Sequence, residues 1–272
     1  MRSTMFRHPL AVAILSLMTL GGIAVSFAIS SEQVNTDIFA MHTKVFIDGQ
    51  KKPIRETETY FMGSKIYDTI TTETRSVITK FDLEAKVVYL LDPANETRTS
   101  LTFAEIDSFQ AEVSAAVLLK NKDDLLTFLV NPRFQYEIDA NAETLSLNSP
   151  WITYVAKGHQ APRNLVDRYA DFASWSSKLS TMLAQGPPAQ ARIELNQRLK
   201  KRNWQVMRIT RTGGPKALKF GVAHSDHEYR YAFTEDDENF IQDAEKNLNA
   251  YHDVEFFEFR AAQNSRRVVA KK

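Results

Sequence analysis

The 272-residue chain contains no cysteine. Disulfides, thiolate nucleophiles and cysteine-ligated zinc are therefore excluded, as is the lipidated cysteine of a bacterial lipoprotein. Glycine and proline are sparse, nine of each, and no Gly/Ser/Pro-rich linker divides the chain; a single domain with ordinary turns is expected. Neither sign of charge is in excess: 34 Lys and Arg stand against 33 Asp and Glu, a net charge of +1. That balance argues against nucleic acid as the main partner, because phosphate binding needs a dense basic surface. The basic runs "LKKRNW" (199–204) and "RRVVAKK" (266–272) are short and read as a helix end and a solvated tail.

Catalytic signatures are equally scarce. The sequence has no G-x-S-x-G, no S-x-x-K of the penicillin-binding type, no G-x-G-x-x-G, no Walker loop and no H-E-x-x-H. "RTGGPK" (211–216) holds two adjacent glycines and reads as a hairpin turn. No cofactor is implied.

One long apolar run exists, Leu10 to Val25, preceded by Arg2 and Arg7 and followed by Ser26-Phe27-Ala28. This is the three-part layout of a secretory signal peptide over residues 1–28, with cleavage expected after Ala28. The alternative is a retained membrane anchor, although the run is shorter than the roughly 20 residues that span a bilayer and contains Ser16, Thr19, Gly21 and Gly22. Export to the periplasm or envelope of a bacterium is the expectation, with membrane contact only through an uncleaved signal segment. Without disulfides such a domain relies on its core, and 43% hydrophobic residues supply one.

The remainder divides into a single α+β domain, 29–262, and a basic tail, 263–272. In "IFAMHTKVFIDG", Phe39, Met41, Val45 and Ile47 alternate with His42, Lys44 and Asp48, the period of a half-buried strand. Strands are likewise expected at 54–62, 65–70, 75–81, 86–92 and 97–101, joined by links short enough to require an antiparallel meander. Thr102 and Glu105 form a capping box for a helix carrying Ile106, Phe109, Val113 and Val117. A short helix (123–130), three strands, helices over 164–184 and 189–202, and strands at 204–211, 217–223 and 229–233 follow. Asp236-Asp237 is expected to cap the next helix, and "DVEFFEF" (253–259) fits a strand or a short helix. The expected architecture is a large curved antiparallel sheet, half-barrel-like, with helices packed on its concave face.

Three groups of residues invite functional readings. His224 and His227, with Asp236, Asp237 and Glu238 nearby, have spacing compatible with a metal site, but His224–His227 reads as a hairpin loop and no third ligand can be named, so no metal is expected. Glu56 and Glu58 lie two apart on one strand face, as a glycosidase pair would, yet "RETET" reads as the charged face of an edge strand. In "VDRYADFASW" (166–175), Tyr169, Phe172 and Trp175 recur at intervals of three along an amphipathic helix stopped by Gly186-Pro187-Pro188. Phe172 is expected to pack; Tyr169 and Trp175 are the candidates for contact with a ligand in the hollow of the sheet.

The stretch from about 38 to 160, with "ETETYFMGSKIYDTI", "SVITKFDLEAKVVYLLDPANETRTSL" and the capped helix from Phe103, resembles the periplasmic outer-membrane lipoprotein carriers in layout. The apolar strand ending in Asp-Pro, "VVYLLDP" (87–93), follows a cadence common in them. That resemblance implies a half-barrel plugged by helices and a hydrophobic cargo, a lipid, acyl chain or lipidated protein. The family's cavity arginine finds no matched position here, and the helix at 189–202 and the terminal helix depart from its pattern. The segment 165–200 is also similar to exported planctomycete proteins of unknown function, which implies an envelope location only.

The leading expectation is thus a non-enzymatic carrier for an apolar ligand. The alternatives are an envelope interaction module with a fully packed core, and a hydrolase using His224 and His227.

Overall fold

A computed structural model describes residues 37–72, 75–120, 123–217 and 221–269. The expected signal segment, 1–28, lies outside them. The described chain opens with a six-strand meander: β1 (Ile38–Ile47), β2 (Arg55–Met62), β3 (Lys65–Thr72), β4 (Arg75–Asp82), β5 (Val87–Asp92) and β6 (Thr97–Thr102). Helices α1 (Phe103–Lys120) and α2 (Asp124–Val130) follow, then β7 (Gln135–Asp139), β8 (Thr144–Asn148) and β9 (Ile152–Gln160). Next come α3 (Arg163–Met182), α4 (Gln190–Arg202), β10 (Trp204–Gly213) and β11 (Val222–Arg230). The chain closes with α5 (Glu235–Ala250), β12 (His252–Asp253) and α6 (Phe256–Val269).

All twelve strands join one open sheet in the order β12-β6-β5-β4-β3-β2-β1-β11-β10-β9-β8-β7. Every pairing is antiparallel except the two-residue β12, which runs parallel to β6. The period of two assigns side chains to faces. Phe39, Met41, Phe61, Phe81, Val88 and Leu90 point to the concave face, where they share one core with α3 and α4. Leu145 and Leu147 of β8, near the far end of the strand order, join the same core. Strands so distant in the sheet meet one set of helices because the sheet curves around them.

One source of bending is visible between β9 and β10. Their register slips between Val206 and Arg208, leaving Met207 as an extra residue, and a bulge of this kind kinks its strand. Opposite Val206 sits Gly158, where a Cβ would lie 2.5 Å from the Gln205 carbonyl oxygen.

The helices do not all share one face. Phe172 of α3 meets Phe61 and Phe81 edge-on, each at 5.5 Å between centroids, at the centre of the concave core. By contrast, Ile241, Ala244 and Leu248 of α5 pack on Ala40, Tyr60, Tyr67 and Leu91, the opposite parity of the same strands. Lys80, on that convex face, pairs with Glu245 at 2.5 Å, and Tyr67 donates to the same carboxylate at 2.5 Å.

Local signals place the helix ends. The Thr102–Glu105 box forms as expected: the Thr102 N–H donates to Glu105 Oε2 at 2.7 Å, and the Glu105 N–H to Thr102 Oγ1 at 3.2 Å. For α5 the cap is Thr234 rather than Asp236-Asp237; Asp237 sits three residues inside, closing the box and receiving both Arg230 nitrogens at 2.7 and 3.1 Å. α4 ends on Asn203 in the left-handed conformation, φ 53°. "DVEFFEF" divides between β12 and the start of α6, which continues through the beginning of the expected basic tail.

β11 departs from expectation. A single strand covers Val222–Arg230, so His224-Ser225-Asp226-His227 lies inside the sheet and not in a hairpin loop. Three of the four contact a neighbouring strand, and Ser225 meets His227 along β11 itself. His224 stacks on Phe46 at 4.8 Å, Asp226 pairs with Arg208, and His227 reaches Thr43. As expected, β10 ends in "RTGGPK" on its way to β11, and the Gly213 N–H donates to the Gly221 carbonyl at 3.0 Å.

Candidate functional site: a cavity beneath the concave face

Between the concave face of the sheet and α3, together with the segment 183–192, lies a cavity of about 530 Å³. That size lies within the roughly 300–1,000 Å³ of small-molecule sites. Met41, Val77, Phe81, Phe172, Leu179 and Ile209 give it apolar walls. Ile47 and Ile54 line it while remaining 44% and 45% exposed, and exposed Pro187 faces it too. These residues mark its mouth.

A row of polar groups crosses the interior. His227 is 5% exposed; its Nδ1 lies 3.0 Å from Thr43 Oγ1 and its Nε2 3.0 Å from Ser225 Oγ. Both hydroxyls rotate to suit either tautomer of a neutral ring. Burial pushes the imidazole down to about 3; the Arg192 guanidinium adds to this and Asp226 opposes it. The far ring nitrogen meets a hydroxyl and not a carboxylate, so nothing on that side stabilises an imidazolium. As a base, the Ser225–His227–Thr43 row is weak, and its arrangement suits structural satisfaction of a polar wall.

Tyr169, 2% exposed, stands edge-on to His227 with centroids 5.9 Å apart. Arg192 at the start of α4 donates to its hydroxyl at 3.0 Å and to Asn196 Oδ1 at 3.1 Å. Burial raises the phenol, against the pull of Arg192. Deeper, Thr59 donates to Asp68 at 2.7 Å across β2 and β3. Burial raises the Asp68 carboxyl to about 6, outweighing the Thr59 hydrogen bond and the charge of Arg55.

Of the expected ligand contacts, Tyr169 lines the cavity. Trp175 is not among the residues lining it: its indole stacks on Phe103 at 3.8 Å, with the Lys178 ammonium 4.0 Å from its centroid. Phe172 both packs and faces the cavity. His224 and His227 both border the cavity, but three apart on a strand their rings turn to opposite faces, His224 onto Phe46, and no group of three metal-ligating side chains occurs among the described residues. Glu56 and Glu58 share the convex face, as their spacing required, and both contact His42, Glu56 at 3.2 Å. They stand on the far side of the sheet from the cavity.

Arg192, Arg211 and Asp68 escaped the sequence reading. A signal existed for two of them. Asp68 shares the parity of Ile66 and Ile70, and Arg211 that of Ile209, each a charged residue on a strand's apolar face. Arg192 had no such signal, since its partner Tyr169 belongs to another helix. Among the described residues no helix is long and apolar enough to cross a membrane. Compared with models of known protein families and with curated proteins, the chain matches none.

Proposed function

We propose that this protein is an exported carrier that shields an apolar ligand, a lipid, acyl chain or lipidated protein, within the bacterial envelope. The cavity of about 530 Å³ beneath the concave face carries this reading. A helix-covered antiparallel sheet of this size could fill its hollow with side chains, as an interaction module with a packed core would; here a mainly apolar lining crossed by a polar row borders ligand-sized space. Transfer of a chain from water into such walls is favourable by about 25 cal/mol per Å² buried. The half-barrel layout and the N-terminal run from Leu10 to Val25 support the same reading and the envelope location. Tyr169 would contact the ligand from α3, while Trp175 holds that helix to α1.

The test is native mass spectrometry and lipid extraction of the purified protein, followed by titration with a fluorescent fatty-acid probe. A retained apolar ligand, or saturable probe binding displaced by unlabelled fatty acid, is expected. Neither a retained ligand nor saturable binding would leave the packed interaction module as the better account.

A further inference from the structure

The charges around the cavity are one-sided. Arg55 from β2, Arg192 from α4 and Arg211 from β10 all line it, and among the described lining residues Asp68 is the single carboxylate. Among the described residues Arg211 and Arg192 make no ion pair, and Arg211 Nε is buried without a hydrogen-bond partner there. Arg192 is held by two neutral acceptors, Tyr169 and Asn196. Both arginines are half-buried, and a guanidinium partly withdrawn from water without an anion leaves a favourable interaction unmade.

The sheet register shows where along the cavity these charges sit. Arg211 lies opposite Ala223, and Ala223 opposite Ile47. This is the outermost row, the one that carries the exposed apolar rim. Arg55 faces Val45, one inward-pointing row deeper. Thr43 and His227 form the next row, and Met41, Thr59 and Asp68 the one beyond, on the way to Phe81. Arg192 and Arg211 also converge electrically on Tyr154, directly opposite Arg211 on β9. Arg211 and Arg55 therefore sit toward the mouth with Arg192 beside Tyr169, while the deeper rows hold neutral Thr43, His227 and Thr59 with Asp68 and lead to the apolar Phe81 and Phe172.

We infer that the cavity selects an amphiphile with an anionic head, carboxylate or phosphate, seated at Arg211 and Arg192 with its single chain directed inward past Phe172. This rests on the carrier reading and narrows it. A charge-assisted pair with a guanidinium is among the stronger hydrogen-bonded contacts and fits the planar carboxylate and the phosphate alike. A neutral alcohol of the same chain length would bury the same tail and leave Arg211 unpaired.

The experiment is displacement of a bound fluorescent probe from the delipidated protein by dodecanoate, dodecyl phosphate, dodecanol and inorganic phosphate, in the wild type, Arg211→Gln and Arg211→Lys. Dodecanoate and dodecyl phosphate are expected to displace the probe about tenfold more effectively than dodecanol, as a partly buried charge pair implies. In Arg211→Gln the preference should shrink to about threefold or less, with Arg211→Lys retaining most of it. In the wild type the preference should also fall with added salt, a readout independent of whether any variant folds. Equal binding of dodecanol and dodecanoate would overturn the inference and leave the carrier reading standing. Failure of every chain to displace the probe would remove both. Inorganic phosphate acting as well as dodecyl phosphate would identify a plain anion site and overturn the requirement for a chain.

Discussion

Thr43 and His227 stand directly opposite each other on β1 and β11, hydroxyl to imidazole nitrogen at 3.0 Å, and both are buried. The pair bridges the central seam of the sheet on the wall of the cavity. Thr43→Val keeps the shape and removes the hydroxyl, leaving a buried ring nitrogen unsatisfied. Chemical denaturation should register a loss of about 1–3 kcal/mol. Thr43→Val combined with His227→Phe should lose less than the two single changes together, since neither partner is then stranded.

The cavity's two titrating groups act on stability in opposite directions. The native His227 imidazole titrates near 3 against an ordinary 6.5. As pH falls from 6.5 toward 3, the unfolded chain takes up a proton the native ring refuses, and stability is lost. Asp68 titrates near 6 against an ordinary 3.8. The native carboxyl keeps its proton where the unfolded one has released it, so stability present below 3.8 is lost as pH rises to 6. In the wild type the two slopes oppose one another between pH 4 and 6. Thermal melts across this range should therefore fall steeply on acidification in Asp68→Asn and rise on acidification in His227→Gln. At pH 7, Asp68→Asn should be more stable than wild type by about 3 kcal/mol.

On the convex face, Glu245 holds both Lys80 and the Tyr67 hydroxyl. The Lys80 side chain is 8% exposed and Glu245 36%, so the pair is only partly screened. Glu245→Ala strands the ammonium and should reduce stability by about 2 kcal/mol. The double change Lys80→Met with Glu245→Leu should return to within about 1 kcal/mol of wild type. Equilibrium unfolding of wild type, Lys80→Met, Glu245→Leu and the double variant gives the coupling.

Gly158 lies where β9 passes the bulge in β10. Its substitution by alanine would drive a Cβ to 2.5 Å from a backbone carbonyl oxygen, and backbone cannot step aside as a side chain can. A loss of about 2 kcal/mol is expected, in the range of overpacked cores. Alanine at Gly63, where nothing lies within 4 Å of the added carbon, is the comparison: there the left-handed φ of 58° alone opposes the change, about 1 kcal/mol.

Much of this architecture was legible in the sequence because its faces alternate cleanly. Phe39 and Met41 against Ala40, or Phe61 against Tyr60, follow the period of two, and the stripe Val166, Tyr169, Phe172 and Ala173 follows that of a helix. β11 was not legible. Its His, Ser and Asp residues resemble a loop until Phe46, Arg208 and Thr43 are placed beside them, and Thr43 is 184 positions away. The cavity was anticipated only as a question, for periodicity says which side chains face inward and not whether they meet. Nor does alternation say which of two apolar faces a given helix covers, and so α5 on the convex side could not be foreseen.

The placement of β1 beside β11 has a further consequence for how the molecule is assembled. Ala40 pairs with Arg230, so the middle of the sheet is joined by two segments that leave the ribosome far apart in time. Long-range pairings of this kind slow folding, because the intervening chain must be ordered before the contact is rewarded. Until β11 is available, β1 presents ten residues of unpaired edge, a template for another copy's strand. A nascent or truncated chain ending before Val222 would hold that edge open, and a holding chaperone would have most to shield there.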